Sequence, residues 1–195
     1  KSGSMSAEGG GVSKLTLAKE AAMKAIDNLR EIDDISVIAF DDTFDVVVPT
    51  QKVTDKDYIK ELISGIQIRG GTSIYPALEK GYNIQSESDA KIKHTILLTD
   101  GQDSIPYSTY EELIQKFNNE NITLSTVAVG SDSNSSLLSD LATAGNGRSY
   151  YTDIYTDIPR IFAQEVLMSV GTYIINEEFT PSVVSNHEVL AGVQT

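Results

Sequence analysis

The chain has no cysteine, only two histidines, few basic residues and no long apolar run, and each shortage removes a class of chemistry. Without cysteine there are no disulfides, thiolate metal ligands or cysteine nucleophiles, although the redox compartment stays open. No stretch approaches the ~20 apolar residues of a membrane-spanning helix. No signal-peptide pattern is visible at its start. With 15 Lys and Arg against 28 Asp and Glu, the formal charge is −13. That balance argues against a sequence-independent grip on nucleic acid, which needs clustered cations to neutralise phosphates. It favours solubility and weakly attracts divalent cations. The histidines, His94 and His187, are far apart in sequence and read as structural or surface residues. There is no Gly-x-Ser-x-Gly elbow, and no Gly-Lys-Ser or Gly-Lys-Thr follows Gly9-Gly10-Gly11. That glycine run therefore reads as a flexible linker.

What is present is enough apolar content, 40% of 195 residues, to fill one core. Leu15, Leu17, Ala21, Ala22, Ala25, Ile26 and Leu29 recur at helical spacing and predict a helix from Ser13 to Leu29. Ile35 to Phe40 and Phe44 to Val48 read as a hairpin around Asp41-Asp42, ended by Pro49. Asp55 to Ile63 and Ser73 to Ile84 read as helices, capped by Thr54 and by Thr72 or Ser73. Buried strands at His94 to Thr99 and Ile122 to Val129, with a short one at Arg148 to Thr152, alternate with helices at Thr109 to Asn119, Asn134 to Ala144 and Ile158 to Val170. The alternation predicts an α/β fold: a doubly wound, mostly parallel, Rossmann-like sheet with helices on both faces and one antiparallel edge. We divide the chain into a domain at 1–170 and a linker or start of a following module at 171–195, where Thr172 to Ile175 and Val183-Val184 could form short strands.

Three loops carry the chemistry. Ser2 and Ser4 lie two apart around Gly3, so their hydroxyls can converge from one side. Thr72 follows Gly70-Gly71 and opens a helix; Asp100 ends a strand before Gly101. Read singly, these are a polar terminus, a helix cap and a turn residue. Read together, they offer hydroxyl and carboxylate oxygens to one hard cation, Mg²⁺, Mn²⁺ or Ca²⁺, and not to zinc. Asp103, further along the Asp100 loop, reads as a solvated acid.

These residues resemble the metal-ion-dependent adhesion site of the von Willebrand factor A domain, which uses Asp-x-Ser-x-Ser, then a Thr, then an Asp. The matches are Ser2 and Ser4 of Lys1-Ser2-Gly3-Ser4-Met5, Thr72 of Gly70-Gly71-Thr72-Ser73, and Asp100 of Leu97-Leu98-Thr99-Asp100-Gly101. The resemblance places the first Asp immediately before Lys1, and an apolar central strand before that. The chain thus reads as an excised fragment with its first central strand truncated. The expected filler of the gap is the tail, at Thr172 to Ile175, or a second copy of the chain in a homodimer.

The resemblance implies a non-enzymatic module whose bound cation receives an acidic side chain from a protein partner or a neighbouring domain. The alternatives are a metal-free structural or assembly module with a degenerate site, and a metal-assisted hydrolase. Phe179 to Val184 and His187 to Val193 resemble the segment that follows this domain in large bacterial membrane-anchored proteins carrying a glutamine-amidotransferase-like domain. That second resemblance implies a membrane-anchored parent, with no membrane insertion by this fragment itself.

Overall fold

The computed structural model describes residues 3–6, 8–9, 11–100, 103, 105–131 and 133–170. Helix α1, Lys14–Asn28, starts where its apolar periodicity starts, with Ser13 Oγ accepting the Thr16 amide at 3.1 Å. Ahead of it lie a 3₁₀ turn, Gly3–Ser6, and two two-residue strands, β1 (Glu8–Gly9) and β2 (Val12–Ser13), paired antiparallel. The glycine run read as a linker is therefore partly a small ribbon.

Strands β3 (Asp34–Phe40) and β4 (Phe44–Lys52) form the expected hairpin, but Pro49 does not end it. Between the pairs Val37↔Val48 and Ile35↔Gln51, two residues of β4, Pro49 and Thr50, oppose Ser36 alone. A bulge at this position accommodates a residue with no N–H to give, and the strand runs on to Lys52. Helix α2 (Lys56–Ser64) is capped by Asp55, which accepts the Tyr58 amide at 2.9 Å, so the cap lies one residue beyond Thr54.

The remaining elements alternate as expected. They are α3 (Ile74–Ser86), β5 (Lys93–Thr99), α4 (Tyr107–Asn119), β6 (Ile122–Val129), α5 (Ser135–Ala144), β7 (Asn146–Thr152) and α6 (Ile158–Val170), with a 3₁₀ turn at Tyr155–Asp157. Strands β5, β6 and β7 form a parallel sheet in that order.

Period-two alternation along β6 sorts the core. Leu124 and Ala128 join Leu97 against Tyr110, Leu113, Phe117, Leu138 and Leu141 of α4 and α5. Val127 and Val129 join Leu17 and Ala21 of α1 and Ile158 and Ile161 of α6 on the opposite face. A third cluster packs Ile26 of α1 and Ile59 and Ile63 of α2 on Val48 of the hairpin. The sheet is thus covered on both faces, as a parallel sheet must be.

The hairpin and the parallel sheet are separate hydrogen-bonded units: among the described residues no strand joins β3 to β5. Ile35 to Ile38 on β3 and Thr95, Ile96 and Leu98 on β5 are only half-buried, whereas β6 is buried along almost its whole length. The tail segment Thr172 to Ile175, expected to fill this gap, lies outside the described residues, as does all of 171–195.

Candidate metal centre

Parallel strands deliver their carboxyl ends to one edge of the sheet, where β5 brings Asp100. Asp100 follows the last residue of β5 and is 1% exposed. A carboxylate so deep needs a partner, because desolvating an unpaired charge is costly. Lys14, the first residue of α1, supplies one: its Nζ donates to Asp100 Oδ2 at 3.1 Å. Lys14 is itself only 4% exposed.

Thr72 lies half-buried in the segment leading into α3. Its loop is gripped from two sides. The Ser73 amide donates to the Asp41 carbonyl and the Ile74 amide to Asp103 Oδ2, both at 2.8 Å. Ser73 holds the cap position of α3, as the sequence suggested, but makes no side-chain capping hydrogen bond; Asp103 takes the first helical amide from the Asp100 loop. This hydrogen bond joins the loop carrying Thr72 to the loop carrying Asp100. Asp103 is correspondingly no solvated acid: it is 7% exposed and also accepts the Ile105 amide at 2.9 Å and the Tyr110 hydroxyl at 2.8 Å. Burial, and then the hydrogen bond to Asp103, push the Tyr110 phenol well above its usual range.

Ser2 lies outside the described residues. Ser4 falls in the 3₁₀ turn Gly3–Ser6, which packs against α1, but its side chain lies outside the described set. The donors expected from the sequence are therefore hydroxyls plus one carboxylate. Consistently, the described residues contain no group of three or more His, Cys, Asp or Glu able to hold a metal. All-oxygen donors suit a hard cation, and in this respect the residues present fit one.

Sequence reasoning missed Lys14, Asp41 and Asp42. Asp41 is buried and takes the Thr43 amide at 2.9 Å and the Thr43 hydroxyl at 3.1 Å, fixing the hairpin turn. Asp42 Oδ2 accepts the Gly71 amide at 3.2 Å, and a Cβ on Gly71 would run into that carboxylate. The Gly-Gly ahead of Thr72 is thus explained by close approach of Asp42. Gly71→Ala is expected to cost about 0.5–1.5 kcal/mol, because the exposed Asp42 carboxylate must swing aside and give up its bond to the Gly71 amide, read as a lower urea midpoint. An unchanged midpoint would mean that the clamp does not hold the loop. The Asp41-Asp42 pair was legible only as a turn; nothing local marks its reach to a loop some thirty residues away.

A family model for the von Willebrand factor type A domain matches residues 1–164. The uncharacterized protein YfbK of Escherichia coli K12 is 25% identical over 184 residues, covering 89% of this chain and 32% of its own length. A solved von Willebrand factor type A structure from Catenulispora acidiphila superposes with a TM-score of 0.75 at 26% identity, covering 80% of this chain and 38% of that one. Proximal thread matrix protein 1 from the mussel byssus, solved with a zinc-occupied MIDAS motif, shares the fold at a TM-score of 0.64 and 19% identity over 78% of this chain and 42% of that one. The chain spans about a third or less of the length of each curated relative it matches.

Proposed function

The chain belongs to the von Willebrand factor type A domain family, and from that premise we propose that it is a cation-dependent protein-interaction module. Ser2, Ser4 and Thr72 would hold the cation through hydroxyls and Asp100 through its carboxylate. When bound, the cation supplies a Lewis-acidic face to an acidic side chain of a partner protein or neighbouring domain. The observation that carries the reading is the burial of Asp100 at the carboxyl end of β5, in a loop tied to that of Thr72. Support also comes from the byssus protein, whose motif of the same kind accepts a metal. Mg²⁺ is the cation proposed here, with Mn²⁺ or Ca²⁺ as substitutes. A membrane-anchored parent belongs to the same proposal; no helix among the described residues is long and apolar enough to cross a bilayer.

The chain's own residues have two tasks in this reading. Asp41, Asp42 and Asp103 fix the Thr72 loop, and α1 and β5 fix Asp100. A metal-assisted hydrolase would further need a base at the metal. His94, near the opposite end of β5, is committed instead to Thr123 Oγ1 at 2.6 Å and Glu165 Oε1 at 3.0 Å. A screen for metal-dependent phosphatase or esterase activity separates that alternative.

The test is thermal unfolding in chelator and then in millimolar Mg²⁺ or Mn²⁺. Ligand at ~100 times its dissociation constant should add about 2.7 kcal/mol, and Asp100→Asn should lose this gain. A midpoint indifferent to every cation would sink the metal reading and leave a metal-free assembly module with a degenerate site.

A further inference from the structure

We infer that Lys14 is a built-in counter-cation that sets how tightly the Asp100 site takes a divalent ion. The inference rests on the metal reading above and deepens it. Three separate elements are shaped around this one ammonium. The start of α1 carries it, and the end of β5 supplies the Asp100 carboxylate 3.1 Å away, with both side chains almost wholly shielded from water. The 3₁₀ turn after β7 lays the Tyr155 ring beneath it, 4.8 Å from the ring centroid. The loop after β6 completes the seat with Gly130, at φ +84°. A Cβ on Gly130 would stand 3.1 Å from Lys14 Nζ and 3.6 Å from the Tyr155 hydroxyl, so a side chain there would crowd the ammonium.

Such a seat is selective for a monovalent cation tethered to the chain. The carboxylate neutralises it, and the negative face of an aromatic ring favours it a second time. The consequence for the site follows from charge. The matched ligands hold one carboxylate and three hydroxyls, and the one carboxylate is already balanced by Lys14. A divalent cation taking Asp100 as a ligand must share that carboxylate with an ammonium of like sign, so its affinity is set by how far Lys14 yields. In the absence of metal, Lys14 also holds the Asp100 carboxylate in place.

The experiment is direct Mn²⁺ binding by the 195-residue chain, read by the loss of the free-ion paramagnetic resonance signal, alongside thermal midpoints in chelator and in Mn²⁺. Lys14→Met removes the charge and keeps the stem. It should bind Mn²⁺ about tenfold tighter or more, in the range usual for coupled sites. Its midpoint should be lower in chelator and gain more from Mn²⁺ than that of the unaltered chain. Lys14→Arg, which keeps the charge, should bind as the unaltered chain does or more weakly. If Lys14→Met does not fold, Lys14→Gln, which can still donate to Asp100, carries the same expectation. Equal or weaker Mn²⁺ binding by the neutral variants, with binding intact in the unaltered chain, overturns the role of Lys14 alone. Absence of binding in every variant, all of them folded, overturns the metal reading and this inference with it.

Discussion

Glu165→Gln should destabilise the protein by about 3 kcal/mol at neutral pH, the lower end of what removing one partner of a buried ion pair costs. Glu165, on α6, is 0% exposed. Its Oε2 accepts Arg148 Nε at 2.7 Å and the Tyr150 hydroxyl at 2.6 Å, and its Oε1 accepts the Ser125 hydroxyl at 2.6 Å. His94 Nε2 stands 3.0 Å from Oε1. One carboxylate thus ties α6 to β5, β6 and β7 together. The lower end of the range applies because Arg148 is partly exposed and keeps a route to water once its partner is gone.

The pH dependence follows from the same contacts. Burial by itself would raise the Glu165 carboxyl, but the close approach of His94 and the hydrogen bonds from Arg148, Ser125 and Tyr150 outweigh it and hold the group far below the usual carboxylate range. A depressed native value means that the folded state favours the ionised form. The stabilisation is therefore fully present above the unfolded value of about 4.5 and is lost as pH falls from there toward the native value. Urea midpoints at pH 7, 5, 4 and 3 should show the gap between Glu165→Gln and the unaltered chain closing in acid. A gap below about 0.5 kcal/mol at pH 7, of the size ordinary surface changes give, would refute the role assigned to the carboxylate.

A chain lengthened at its amino end by an apolar strand closing in Asp should be stabilised by about 3–6 kcal/mol. The free edges of β3 and β5 motivate this: β3 pairs only with β4 and β5 only with β6 among the described residues, and the apolar side chains of both are half-buried. At mid-range values of roughly 2.2 kcal/mol for burying each of about six side chains and about 1.5 kcal/mol for ordering each residue, burial outweighs ordering by about 4 kcal/mol. The added carboxylate should also strengthen the thermal response to Mg²⁺. Denaturant unfolding with and without chelator, alongside sedimentation, checks both points. Equal stability of the two chains would mean that the gap between β3 and β5 needs no strand. A shorter-chain dimer that dissociates on lengthening would mean that a second copy had been filling it.

The hydrophobic period carried most of the architecture. Ile122–Val129 and Ile158–Val170 have the bounds the pattern predicts, and α1 differs by one residue at each end. These segments bury a full face or both faces, so local sequence and tertiary packing ask for the same residues. Prediction failed where a distant group took over a local role. Pro49 lies inside a strand because a bulge absorbs its missing N–H. The first amide of α3 is taken by Asp103, twenty-nine positions away.

The sequence alone determined the alternating α/β fold, the family and the candidate ligands Thr72 and Asp100, because motif spacing and apolar period are properties of the chain read in order. Only the tertiary structure decided what those ligands face. Lys14 and Asp100 are 86 residues apart, and no local signal marks one as the other's counter-charge. The same holds for Asp42 behind Gly71 and for Glu165 beneath three strands. A buried charge is partnered by whatever the fold brings within reach, so its partner is set by the packing of distant elements and not by the order of residues around it.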